Sequence, residues 1–90
     1  MIPTMKISVE LTLTPLHDDY EPVIQSFIED LRNSGCKLIE TPLSTQIYGN
    51  YDLVMDVIRD STKKVFENTQ NVILNSKIIN HDRSDYSPDF

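Results

Sequence analysis

The sequence is poor in several residues on which particular protein classes depend. Its 90 residues include one cysteine, two glycines and no tryptophan. A single cysteine excludes an intramolecular disulfide framework and favours a reducing compartment, so we expect a cytoplasmic protein. No apolar run approaches the roughly 18 residues that cross a bilayer, and the amino-terminal residues lack the pattern of a secretory signal. We therefore expect no membrane association.

Basic residues are also scarce, with 8 Lys and Arg against 14 Asp and Glu, for a formal net charge of −6. Such a chain repels phosphate backbones, which argues against nucleic-acid binding as its main role. The charge instead favours cationic or neutral small ligands. A hydrophobic fraction of 39% is ordinary for a globular domain, and this length supports one core.

Few side chains are candidates for catalysis or metal binding. His17 and His81 are far apart in sequence and have no neighbouring cysteine or second histidine. Cys36 suits a small buried apolar side chain better than a nucleophile. Gly35 and Gly49 are the only glycines, so no glycine-rich phosphate loop exists. We expect no catalytic residues, no metal and no cofactor.

Hydrophobic periodicity predicts four strands and two helices. Residues 5–13 alternate between apolar and polar, which predicts a strand with one buried face that ends before Pro15. A 3.6-residue period from about residue 20 predicts a helix with Gly35 as its left-handed C-cap. The later predicted elements are an edge strand over 36–41, a strand over 44–48 that completes a hairpin, a helix from Asn50 or Asp52 to about residue 68, and a strand over 72–79.

The order β-α-β-β-α-β is typical of an α+β, ferredoxin-like fold. In this arrangement two helices cover one face of a four-stranded antiparallel sheet, and the first and third strands lie at its centre. We assign residues 1–81 to this single domain. Residues 82–90 follow neither period and are expected to form a flexible C-terminal tail.

Strand alternation predicts a polar cluster on the sheet face that the helices leave open. Ser8 and Glu10 of the first strand, Gln46 and Tyr48 of the third and Lys77 of the fourth are expected on this face. An acid, an amide and an aromatic ring together suit a flat polar heterocycle. A solvated sheet face or an oligomer interface has the same composition, so the pattern leaves these alternatives open.

The chain resembles the small thiamine-binding domains related to the YkoF-like proteins, over about residues 5 to 80. The most specific matching segment runs from Ser44 to Met55. The other matching pieces are Lys6 to Leu11, Pro15-Leu16 with Tyr20 downstream, Gly35, and Lys77-Ile78. The resemblance implies a ferredoxin-like fold, assembly into a homodimer or homotetramer through the sheets, and binding of thiamine or its hydroxymethylpyrimidine moiety without catalysis. Thiamine is then a ligand and not a catalytic cofactor, and the implied role is thiamine salvage, transport or sensing.

The candidate ligand-binding residues come from two arguments. The resemblance assigns contacts to Ser44, Thr45 and Gln46, and strand geometry adds Ser8, Glu10, Tyr48 and Lys77. Thr45 has a second possible orientation toward the helices, which would place a ligand on that side of the sheet. Glu10 and the net charge of −6 favour the thiazolium cation.

A second hypothesis is a structural or regulatory interaction module. Such a module oligomerises through its sheet and binds a protein or another small metabolite on the open face. Catalysis is the weakest alternative, because the sequence offers no nucleophile–base pair.

Overall fold

The computed structural model describes residues 5–89 and confirms the β-α-β-β-α-β order of an α+β, ferredoxin-like fold. Its elements are β1 (Lys6–Pro15), α1 (Glu21–Arg32), β2 (Lys37–Glu40), β3 (Thr45–Asn50), α2 (Tyr51–Asn68) and β4 (Val72–Ile79). The four strands form one antiparallel sheet in the order β2-β3-β1-β4. As predicted, β1 and β3 are central and β2 is an edge strand.

The core lies between the two central strands and the helices. Val9 of β1 pairs with Ile47 of β3, and both are almost completely buried. The other buried apolar members are Ile7, Leu11, Phe27, Leu31, Val54, Ile58 and Val65. Burial of each such side chain contributes roughly 1.5–3 kcal/mol to the free energy of folding. The apolar stripes of the two helices therefore hold the helices on this face of the sheet.

The helix boundaries depend on local backbone geometry. Pro22 lies in the first turn of α1, where its missing N–H is not needed. The C-cap of α1 is Asn33, and Gly35 follows two residues later with a φ of +84°, which turns the chain toward β2. The predicted positive φ of Gly35 is therefore confirmed, but its assignment as the C-cap of α1 was wrong, because the C-cap is Asn33. Of the two predicted N-caps of α2, the structure uses Asn50.

The predicted end of β1 before Pro15 was wrong. β1 continues through Pro15, which lies opposite Val72 of β4. The N–H of Leu16 donates to the carbonyl of Asn71 at 2.8 Å, so this group points toward β4. Because backbone N–H groups alternate along a strand, the nitrogen of Pro15 points away from β4. On that side the pairing of β1 with β3 has already ended, at Leu11 opposite Thr45. No ladder hydrogen bond is lost.

The helices pack mainly over β1 and β3 and leave the outer part of β4 uncovered. Ile78 pairs with Val9 and so faces the helix side, yet it is 47% exposed. Among residues 5–89, no helix is both long enough and apolar enough to cross a membrane.

Candidate functional site

The strand register places polar residues in a row across the open face of the sheet. Ser8 lies opposite Tyr48, and Glu10 lies opposite Gln46 on one side and Lys77 on the other. These side chains all point away from the helices, because they alternate with the buried Val9 and Ile47. The sheet therefore brings together residues that are up to about 70 positions apart in sequence.

This row lines a concavity of about 240 Å³, which we call the open-face concavity. Its polar lining consists of Ser8, Glu10, Gln46, Tyr48, Lys77 and Arg83. Five of the seven predicted ligand-binding residues thus line one cavity. Arg83 also lines the concavity but was not among the seven predicted residues.

Ser44 joins the open-face concavity through Glu10. Its hydroxyl donates to Oε2 of Glu10 at 3.0 Å. Ser44 therefore fixes the orientation of the carboxylate, although it does not line the concavity itself.

Thr45 lies on the other face of the sheet from Gln46. It lies opposite Leu11 of β1 and is only 7% exposed. It lines a separate concavity of about 260 Å³ beside Phe27 of α1. Of the two orientations left open for Thr45, the register gives the one toward the helices, because consecutive strand residues point to opposite faces. Thr45 and Gln46 therefore do not line the same concavity.

Hydrogen bonds orient the two groups at the centre of the open-face concavity. The Tyr48 hydroxyl donates to Oε1 of Gln46 at 2.6 Å, which leaves the Gln46 amide NH₂ to donate elsewhere. Oε1 of Glu10 accepts no hydrogen bond within residues 5–89. The concavity thus presents a donor beside an acceptor.

Residues 81–83 contact the open face at Ser8 of β1. The Ser8 hydroxyl donates to the carbonyl of His81 at 2.6 Å and accepts from the N–H of Arg83 at 2.9 Å. The Arg83 guanidinium lies 5.6 Å from the ring centroid of Tyr86. Sequence reasoning missed Arg83 because a segment without periodicity gives no signal of where it packs. The flexibility predicted for residues 82–90 stays a prediction, and Phe90 lies outside the described residues.

The environment shifts the pKa values of two groups in or beside the open-face concavity, Tyr48 and Asp82. Burial raises the pKa of Tyr48, and the negative charges of Asp82 and Glu10 raise it further. Hydrogen bonds from the backbone and side chain of Ser84 lower the pKa of Asp82, and the positive charges of Lys6 and Lys37 also lower it. Asp82 therefore lies within electrostatic reach of both lysines.

Positive charge is concentrated on the open face. Lys6 and Lys37 lie on this face by strand alternation, and Lys77 and Arg83 line the concavity. The acidic groups beside them are Glu10 and Asp82. The lining of the concavity itself contains two bases, Lys77 and Arg83, and one acid, Glu10, an excess of one positive charge, although the whole chain has a net charge of −6. The expectation that total charge favours a cation here does not take this distribution into account.

Metal coordination finds no support in the part of the chain that the structure describes. Residues 5–89 contain no group of three or more His, Cys, Asp or Glu side chains placed to hold a metal ion. Cys36 is half-buried and packs against the core.

Comparison with known families shows to which family the chain belongs. Residues 9–89 match the family model described as thiamine-binding protein. The chain belongs to the thiamine-binding protein family. The resemblance inferred from the sequence is thus confirmed, and the match includes the segment that carries Arg83. No curated protein matches the chain at a significant level.

Solved structures share the fold of this family. A Streptococcus pneumoniae protein superposes with a TM-score of 0.78 at 27% identity, covering 83% of this chain and 86% of that one. A Thermotoga maritima protein, described provisionally as a thiamine biosynthesis or salvage protein, gives 0.74 at 23% identity and 81% coverage of both chains. A Bacillus cereus domain of unknown function gives 0.72 at 19% identity, covering 96% of this chain and 80% of that domain.

Proposed function

We propose that this protein binds thiamine or its hydroxymethylpyrimidine moiety in the open-face concavity, without catalysis. Family membership over residues 9–89 supports a thiamine-related ligand. The observation that carries the location is the convergence of Glu10, Gln46 and Lys77, from three strands, in one concavity. The biological role that we propose is salvage, transport or sensing of thiamine in the cytoplasm.

The hydrogen-bonding groups of the concavity match an aminopyrimidine edge. The free NH₂ of Gln46 suits the ring-nitrogen acceptor, and the free Oε1 of Glu10 suits the exocyclic amine donor. Ser44 holds the carboxylate, and Tyr48 holds the amide. Because Tyr48 is only 7% exposed, its role in this proposal is to position Gln46, not to stack on the ligand.

We also propose that a second copy of the chain covers the open face. The concavity of about 240 Å³ is smaller than the roughly 300–1,000 Å³ of typical small-molecule sites, so one chain encloses a thiamine-sized ligand incompletely. Ile73 and Ile79 lie on the same face and are 45% and 47% exposed. A homodimer or homotetramer would bury them. Sedimentation of Ile79→Asp tests this proposal, since a charge there should dissociate the assembly.

Isothermal titration calorimetry with thiamine, hydroxymethylpyrimidine and a neutral pyrimidine tests the binding function. We expect saturable binding of the first two ligands. Gln46→Ala should weaken binding by about 5- to 150-fold, because losing one partner of a buried polar group costs about 1–3 kcal/mol. Gln70→Ala is the matched control, since Gln70 is exposed in the α2–β4 connection. Equal affinities of both variants would refute the site.

The exposed Ile73 and Ile79 also support the second candidate function, an interaction module. In that case a folded and oligomeric sample gives no heat with any of the three compounds. A protein partner would then protect the amides of β1 and β3 from hydrogen exchange.

A further inference from the structure

The basic residues of this protein fall into two groups of four. Those of the helical layer are ion-paired: Arg32 with Glu40, Arg59 with Asp56 and Asp60, Lys63 with Glu67, and Lys64 with Asp30. Those of the open face are Lys6, Lys37, Lys77 and Arg83. Within residues 5–89 none of these four forms a salt bridge. The four basic side chains that form no ion pair with an acid in the described part of the chain therefore all lie on one surface of an acidic protein.

We infer that the open-face concavity binds the phosphate ester of its ligand in preference to the unesterified compound. This inference rests on the proposed function and names the chemical form of the ligand. Phosphate adds roughly −1.5 to −2 charges at neutral pH, which the excess of positive charge on this face favours. The uncharged hydroxymethyl or hydroxyethyl end of the ligand would make no use of these cations.

The lining of the concavity contains groups suited to both halves of such a ligand. Glu10 and Gln46 present an acceptor and a donor to the pyrimidine ring, as argued above. Lys77 and Arg83 line the same concavity and provide the cations for the phosphate. Lysine binds phosphate as a point charge, and the planar guanidinium of arginine binds two oxygens at once.

The position of Arg83 is fixed by its own backbone. Its N–H donates to the hydroxyl of the buried Ser8 at 2.9 Å, so the residue is held at the wall of the concavity. The acids farther along this segment, Asp85 and Asp89, do not line the concavity. Glu10 is the one acid among the residues that line the concavity, and Asp82 lies within electrostatic reach of Lys6 and Lys37.

Calorimetric titration with thiamine and with thiamine monophosphate, in the same low-salt buffer, tests the inference. We expect the ester to bind at least about tenfold more tightly, as for hydrogen bonds to charged groups. The measured quantity is the ratio of the two affinities, which isolates the contribution of the phosphate from that of the rest of the ligand. Raising the salt concentration should reduce the ratio, since exposed charges are screened.

Two variants and a matched control locate the effect. Arg83→Gln and Lys77→Gln should each reduce the ratio at least about threefold, because each removes one cation from the concavity. Arg83→Lys should retain part of the preference, because it keeps the charge but loses the fork of donors. Lys63→Gln removes a charge from α2, where Lys63 pairs with Glu67, and should leave the ratio unchanged.

The outcomes distinguish this inference from the proposed function. Thiamine binding with no preference for the ester overturns the inference and leaves the proposed function standing. Absence of binding by both compounds overturns both. A preference that Lys63→Gln reduces as much as Arg83→Gln overturns the location of the phosphate, because it then reflects total charge. A preference lost only in Arg83→Gln and Lys77→Gln supports the inference.

Discussion

Replacement of Ser8 by alanine tests whether the C-terminal segment is attached to the sheet as the structure shows. The Ser8 hydroxyl makes two hydrogen bonds to this segment, one to the His81 carbonyl at 2.6 Å and one from the Arg83 N–H at 2.9 Å. Ser8→Ala removes both and changes no other side-chain hydrogen bond within residues 5–89. Its methyl group fits the space that the serine occupies.

The expected magnitude follows from these two bonds. Neutral hydrogen bonds contribute about 0.5–1.5 kcal/mol each, which gives about 1–3 kcal/mol for the pair. His81 and Arg83 are exposed residues, so water can bond their backbone groups once the segment leaves the sheet. We therefore expect the lower half of the range, about 1–2 kcal/mol, which raises the detached population by about 5- to 30-fold.

Amide hydrogen exchange measured by NMR reports this population directly. The Arg83 amide should exchange about 5- to 30-fold faster in Ser8→Ala. The Ser84 amide is an internal reference, because its bond to Asp82 at 2.9 Å lies within the segment. Ser76→Ala is the control, a serine of β4 whose side chain makes no hydrogen bond within residues 5–89. Unchanged exchange at Arg83, or an equal change in Ser76→Ala, would refute the reasoning.

Three further predictions concern the sheet and the core. Gly49→Ala should destabilise the fold by about 1–3 kcal/mol in urea titration, since its φ is +154° and a Cβ would lie 3.3 Å from Cγ2 of the buried Val54; an unchanged midpoint would contradict this strain. Because the folded-state pKa of Tyr48 is raised above 10.0, its contribution to stability is present below pH 10.0 and is lost as pH rises through the folded-state pKa; Tyr48→Phe should abolish that loss, and the same loss in the variant would assign it to other groups. Leu31→Ala should cost about 2–5 kcal/mol by thermal unfolding, because Leu31 is 0% exposed, whereas Leu43→Ala, at 87% exposed, should cost at most about 0.5 kcal/mol; equal costs would refute the assigned core.

The strand and helix pattern was predictable because it depends on local periodicity. The alternation over residues 5–13 and the apolar stripe of α1 identify their elements without any tertiary contact. The element order then restricts the topology to a few arrangements, of which the ferredoxin-like fold was confirmed. The end of β1 was not predictable, since Pro15 is tolerated there because β3 does not extend far enough to pair with it.

Part of the candidate site was predictable, because the period of two along a strand decides which side chains share a face. Once β1 and β3 were known to be neighbours, the period of two placed Glu10, Gln46 and Tyr48 on one face, and the register agrees. The orientation of Thr45 depended on that register, because a shift of one residue reverses the face. A sequence motif therefore does not show that Ser44 contacts Glu10 on the open face while Thr45 lies on the opposite face.

The sequence alone therefore determined the elements, their order and the family, because these depend on periodicity and on local motifs. Only the tertiary structure decided where the charges lie. Net charge is a sum over the chain, whereas Lys6, Lys37, Lys77 and Arg83 come together because three strands and the C-terminal segment meet on one face. The position of Arg83 depends on a hydrogen bond to Ser8, 75 residues away in sequence. No local pattern encodes such a contact, because its partner is chosen by the packing of the whole sheet.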